Sequence, residues 1–493
     1  MADLGVVLGA GAAVLLVSVL AVRVSVKLGL PSLLLYLGIG LLIGEGGLGL
    51  DFDDAALTQA LGLSAIVLIL AEGGLTTRWH AVRPAIGVGL VLSTVGVAVS
   101  IGVTGVALHY LLDFDWRIAL LWGAVLAATD AAAVFSVLRG TKVGARVVGS
   151  LELESGINDA PVFIAVILLS MNEPWSWWTP LLVVYELAGG LAIGLALGAG
   201  GAYVLRRSAL PATGLYPLAT VSVCLLAYAG GQLAHASGLL ATYVAGVVLG
   251  NSRLPHRSDT LSFAEGLGWL SQIGLFVLLG LYASPGNLPG AVVPALVAAG
   301  VGMLLARPLS VVLSATPFRV PWREQAFITW AGLRGAVPIV LALIPLTEDV
   351  PGARLLVDSL FVIVIVLTFV QGGTLPWVGR KLGLESSAEI TEVEVDSAPL
   401  DELDADLLTV RVPPGSKLHG VYLSELRLPT GATVSLLVRA KSSFTPLPTT
   451  RLQEGDQLLV VTTAQARNVA EQRIRAVHRA GRLARWLGEA GHD

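Results

Sequence analysis

Apolar runs close to the spanning length of about 20 residues follow one another from the N-terminus to about Gly379, broken by short stretches carrying charge, proline or glycine. Splitting the chain at those breaks predicts thirteen helices, centred near residues 13, 36, 64, 98, 127, 158, 191, 223, 244, 272, 300, 334 and 366. Past Gly383 the pattern becomes short alternating segments, Leu407 to Val412, Val434 to Ala440 and Gln457 to Thr463, with turn signals at Pro413-Pro414-Gly415, Pro429-Thr430-Gly431 and Gly455-Asp456. These predict a small β-rich soluble domain closing with a basic helical stretch from Ala464 to about Leu487, read as a solvated helix in preference to a coupling helix. The fold class is therefore an all-α polytopic membrane domain over residues 1–384, a linker over 385–404 and a cytoplasmic α+β domain with a terminal helix over 405–493.

A content of 55% hydrophobic and 13% charged residues is too apolar for an ordinary soluble protein, which makes the lipid bilayer the first partner. Basic residues stand singly or in pairs in short loops, so nucleic acid is excluded as a partner. The single cysteine, Cys224, allows neither a disulfide framework nor a thiolate cluster. Placing the N-terminus outside puts Arg23, Lys27, Arg78, Arg83, Arg139, Lys142, Arg146, Arg206, Arg207, Arg253, Arg257, Arg319, Arg323, Arg380 and Lys381 on the inside. Arg117, Arg354 and the acidic stretch Asp51, Asp53 and Asp54 then lie outside. This asymmetry predicts an inner-membrane protein with a cytoplasmic C-terminus.

Chemistry enters with the charges that a bilayer should exclude, each costing roughly 2.5 to 3.5 kcal/mol at the midplane on insertion scales. They are Glu72, Asp130, Glu152, Glu154, Asp159, Glu186, Arg307 and Arg334. On the sixth helix Ser155 and Asp159 are four apart, as are Glu154 and Asn158, so one helix offers two neighbouring stripes of oxygen ligands. A hard monovalent cation takes carboxylate, hydroxyl and carbonyl oxygens in place of water, and a carboxylate can hold a proton instead. Thr129-Asp130, inside Ala-Ala-Thr-Asp-Ala-Ala-Ala, adds a second set that suits a broken helix with freed carbonyls; a buried helix cap is the plainer reading of Asp130. Arg334 sits among Gly332, Gly335 and Pro338, which weaken the helix on both sides of the charge. Glu154 is its expected partner and Asp130 the rival. Arg307 lies near its helix end, where it could serve the site or snorkel to the surface. Glu72 is read as a site residue over a wet helix end, whereas Glu152 and Glu186 suit a polar funnel or a subunit contact equally well.

Thr129-Asp130, Glu-Ser-Gly-Ile-Asn-Asp from 154 to 159 and Gly-Leu-Arg-Gly from 332 to 335 occur in the order of the monovalent cation:proton antiporters, and the membrane region resembles their sodium/proton exchanger type. The resemblance implies inverted repeats, thirteen helices with interrupted crossing helices five and twelve, a homodimer and alternating access. It also implies that Asp159 carries ion and proton in turn, that Thr129, Asp130, Ser155 and Glu72 surround the ion, and that Glu154 pairs with Arg334. Asn158 before the aspartate suggests electroneutral, one-for-one exchange. Residues 400 to 465 resemble the C-terminal subdomain of regulator-of-potassium-conductance modules, without the nucleotide-binding half. That implies a regulatory ligand such as a cyclic dinucleotide, no resident cofactor and, with the antiporter, K+ in preference to Na+ or Li+ as cargo.

Two other classes compete. A ligand-gated cation channel would also bury carboxylates but needs no central arginine paired to an acid. A membrane-embedded enzyme needs a nucleophile with a base or a metal cluster, and the sequence offers neither set.

Overall fold

A computed structural model describes residues 4–28, 31–50, 52–130, 144–171, 177–384, 395–400, 405–440, 442–463 and 465–481. Asp51, Arg139, Lys142 and the tail expected to reach Leu487 lie outside the described residues, at least in part. The chain divides into two compact units, residues 1–385 and 386–493.

The first unit is helical: α1 Leu4–Leu28, α2 Ser32–Ile43, α3 Ala55–Thr76, α4 Trp79–Leu112, α5 Trp116–Ala127, α6 Ala145–Ser170, α7 Thr179–Arg207, α8 Leu215–Leu233, α9 Gly238–Gly250, α10 Arg257–Tyr282, α11 Leu288–Phe318, α12 Trp322–Trp330, α13 Ala336–Thr347 and α14 Ala353–Lys381. Eight of the described helices are long and apolar enough to cross a membrane, and α2, α5, α9 and α13 are shorter apolar ones.

The order of lengths repeats. A short helix of 12 residues (α2), a long one of 22 (α3), an interrupted one (α4) and a broken one (α5) precede a 26-residue helix (α6). The same succession runs from α9 through α10, α11 and the α12–α13 pair to α14. Packing is reciprocal: α2 crosses α10 and α9 crosses α3. Both crossings need bare backbone, since a Cβ at Gly40 would stand 2.1 Å from Val277 O and one at Gly280 2.1 Å from Leu37 O. Gly74 and Gly250 meet Tyr243 O and Leu75 O in the other pair. The stripe Gly190, Gly194 and Gly198 on α7 does the same against α9, as its small-residue spacing suggests.

The interruptions have local causes. In α11, Pro308 has no N–H to continue the ladder, and the turn before it, Gly302–Ala306, widens into a π segment. In α4, Leu92–Gly96 does so where the Thr94 hydroxyl takes Leu90 O. Between α5 and the masked stretch, Ala128–Asp130 is not helical, and Ala331–Gly335 separates α12 from α13. The twelfth expected helix is thus two half-helices, with Arg334 in the gap.

The second unit carries a five-stranded antiparallel sheet in the order β1-β2-β5-β3-β4, with β1 Val395–Leu400, β2 Ala405–Arg411, β3 Ala432–Arg439, β4 Ser442–Phe444 and β5 Gln457–Thr463. Val395–Leu400, read from sequence as linker, is an edge strand; Pro399 masked its pattern, and an edge is where a sheet tolerates proline. The final helix, Arg467–Ala480, is not simply solvated: Ala470, Ile474 and Val477 share a core with Leu408, Val410, Leu458 and Val460. Asp456, fully buried in the turn before β5, accepts both Arg439 Nε and Nη2 at 2.7 Å, which raises the guanidinium pKa above its ordinary value.

Because backbone carbonyls face Gly280, Gly280→Val should force α2 and α10 apart at a cost of about 1 to 3 kcal/mol or more. A lower melting temperature and a loss of the monodisperse peak in detergent gel filtration would register it; an unchanged profile would contradict the crossing.

Candidate ion-binding site

Ala128–Asp130 and Ala331–Gly335 cross each other and satisfy each other's backbone. Asp130 N–H donates to Leu333 O at 3.0 Å, and Arg334 Nη1 donates to Ala128 O at 3.0 Å. Each charge thereby meets the half-helix end of opposite sign: Asp130 lies against Gly335, which caps the N-terminus of α13, and Arg334 holds a carbonyl just past the C-terminus of α5. Glycine is required here, because a Cβ at Gly335 would fall 1.6 Å from Asp130 Oδ2.

α6 pins the crossing from one side. Ser155 Oγ donates to Thr129 O at 2.8 Å and Asn158 Nδ2 donates to Thr129 Oγ1 at 2.7 Å. The same stripe carries Asp159 into the cavity wall. Asp159 is 4% exposed, and among the described residues its Oδ1 has no hydrogen-bond partner.

The cavity has a volume of about 310 Å³ and is walled by two groups of helices. Thr129, Asp130, Glu152, Ser155 and Asp159 come from α5–α6 and their link; Glu72, Tyr243, Glu265, Trp269 and Gln272 come from α3, α9 and α10. Among the described residues, five carboxylates and no lysine or arginine line it, a field that draws cations in. The donors suit a hard cation without its water: carboxylate, hydroxyl and amide oxygens, with no soft sulfur.

The structure groups some of the sequence-expected residues and separates others. Asp159, Asp130, Ser155, Thr129 and Glu72 line one cavity, while Asn158, fully buried, stands behind it as the holder of Thr129. The expected pair of Glu154 with Arg334 is replaced by Glu154 with Arg307. Arg307 Nη1 and Nη2 grip Glu154 Oε1 and Oε2, the second at 2.8 Å, and both side chains are buried. The π segment ending at Ala306 presents Arg307 to α6, and Gly332 leaves room for its guanidinium, since a Cβ there would lie 2.6 Å from Nε. Sequence spacing misplaced the pair because a snorkelling arginine and a buried one look alike at a helix end. Glu186 does not line the cavity, whereas Glu152 does. Glu265, Trp269 and Gln272 were missed; their spacing of four and three marks one helix face and could have revealed them.

A membrane unit with reciprocal repeats, crossed interrupted helices and a buried acid in a cation-attracting cavity is the architecture of a secondary transporter. The chain belongs to the sodium/hydrogen exchanger family: the transmembrane model of that family matches residues 12–381, and the TrkA-C domain matches residues 407–475. It is 36% identical over 462 residues to the K(+)/H(+) antiporter NhaP2 of Shewanella sp. (strain MR-4), covering 92% of this chain and 80% of that protein. With the K(+)/H(+) antiporter NhaP of Alkalimonas amylolytica it shares 42% identity over 383 residues, 76% of this chain and 66% of the relative. The solved sodium proton antiporter MjNhaP1 of Methanocaldococcus jannaschii has the same fold, with a TM-score of 0.67 at 21% identity over 76% of this chain and 98% of that one. This protein is an antiporter of monovalent cations and protons with an appended TrkA-C domain.

Removing one partner of the buried Glu154–Arg307 pair leaves an uncompensated charge, so Arg307→Met should cost about 3 to 5 kcal/mol. Arg307→Met combined with Glu154→Gln should recover much of the loss. Thermal melts in detergent would show this; equal damage in single and double variants would argue against the pairing.

Proposed function

We propose that the protein exchanges K+ for H+ one for one across the cell membrane, as a homodimer with its N-terminus outside and its TrkA-C domain in the cytoplasm. The observation that carries the exchange is Asp159: a buried carboxylate oxygen with no donor among the described residues, facing a cavity whose other oxygens come from Thr129, Asp130, Ser155 and Glu72. A proton or a cation satisfies that oxygen, and the two compete for it. The K+ assignment rests on the K(+)/H(+) antiporters to which the chain is similar over most of its length. Na+ is the second reading, favoured by the sodium proton antiporter whose fold it shares.

The residues divide the work. Asp159 binds the cation from one side, releases it on the other and returns protonated. Thr129 and Asp130, on the unwound link, move with α6 because Ser155 and Asn158 tie them to it. Asn158 contributes an amide that holds Thr129 and adds no second negative charge, in keeping with one-for-one exchange. Access from the arginine-rich side follows from the cavity lining near Thr76, Thr77, Glu152 and Glu265, close to the ends of α3, α6 and α10 that lead to Arg78, Arg146 and Arg257. The TrkA-C domain is a seat for a small regulatory ligand, with a cyclic dinucleotide as the first to try.

In everted vesicles or liposomes, dequenching of a pH dye on adding K+, Na+ or Li+ ranks the cargo. Asp159→Asn should reduce the response at least about 100-fold; full retention would remove Asp159 as carrier. Since protons compete with the cation, the apparent KM for cation should rise about tenfold for each unit of pH below the carrier's midpoint, with Vmax unchanged. A pH-independent KM would contradict competition at one group. Deletion of residues 386–493 should leave exchange intact while removing its response to added cyclic dinucleotide.

A further inference from the structure

We infer that Gly268 on α10 is a positioning residue for Glu72 and thereby sets cation affinity and selectivity; the inference rests on the reading of Glu72 as a cavity ligand. The Glu72 side chain passes across Gly268 to reach the cavity. A Cβ built on Gly268 would stand 2.9 Å from Glu72 Cγ, 3.2 Å from Cδ and 3.3 Å from Cβ. No backbone atom is among these contacts, in contrast to Gly40, Gly250 and Gly280, where a Cβ meets carbonyls of the facing helix. An added methyl at Gly268 therefore presses on the acidic side chain, with a smaller adjustment of α3 at Glu72 Cβ, and meets no facing backbone among its nearest atoms.

The notch has a direct chemical consequence. Gly268 is buried and lines the cavity together with Glu72, and Glu265 lies three residues earlier on the same helix, also in the lining. Glu72 rotated off its rotamer moves its carboxylate relative to Asp159 and Asp130 across the cavity, or toward the like charge of Glu265. Cation binding weakens through distance, and the size of the oxygen cage changes with it. Selection among Li+, Na+ and K+ depends on that size. Folding should not suffer, because alanine is a better helix former than glycine.

Gly268→Ala tests this in proteoliposomes containing the full chain. The expected result is a rise in cation KM of about three- to tenfold, with kcat nearly unchanged and an altered order of KM among Li+, Na+ and K+. Gly274→Ala, on the same helix with open space around its Cβ position, is the control. In a Glu72→Ala background, where the obstructed side chain is gone, Gly268→Ala should add nothing. Wild-type KM values in Gly268→Ala, or an equal penalty in the Glu72→Ala background, would overturn the inference. Glu72→Ala with wild-type KM would instead overturn the role of Glu72 on which it rests.

Discussion

The cavity depends on two unwound segments, Ala128–Asp130 and Ala331–Gly335, that complete each other's hydrogen bonding where they meet. In the hydrocarbon region unwound backbone survives only when protein satisfies it. Here the Asp130 amide finds Leu333 O and the Arg334 guanidinium finds Ala128 O. Neither gap would be tolerable alone. Once both exist, the remaining geometry follows: Gly335 must lack a side chain, Thr129 must be anchored, and α6 anchors it while carrying Asp159 beside the anchors. Asp159 and the unwound link are thus one mechanical unit.

The Glu154–Arg307 pair stands immediately behind that unit and neutralises itself. Ser93 on the π segment of α4 donates to Glu154 O, and Ser310 on α11 donates to Gly96 O, so the two π-interrupted helices brace α6 and each other. An arginine gripped through both Nη atoms by Glu154 backs the site without drawing on its acids. The charge left to face cargo is that of Asp159, Asp130 and the carboxylates of the cavity wall.

Much of this was legible in the sequence. Glycine and proline around Arg334 announced an interrupted helix, and the spacing of Ser155, Asn158 and Asp159 announced one working face, because helix periodicity survives any tertiary context. Ser155 and Asp159 face one cavity for that reason, and tertiary packing brings Glu72, Thr129 and Asp130 to the same cavity. What escaped were features fixed by other helices. Arg307 meets Glu154 only because a π segment turns it inward, and no local pattern reports which of two arginines an acid will choose. Glu265 and Gln272 lie on α10, far in sequence from the motif residues, and join them through the packing of α10 directly on α3 and α13. The edge strand Val395–Leu400 was hidden by its proline and visible only through pairing.

Under the carrier role proposed for Asp159, its burial bears on how faithfully the two fluxes are tied together. An ionised Asp159 with neither proton nor cation would have to move with its buried Oδ1 unsatisfied, a penalty on the order of several kcal/mol. Occupied by either cargo, the same group is neutral and crosses without that penalty. Slippage is therefore suppressed by desolvation alone, and tight coupling needs no gate that senses which cargo is bound.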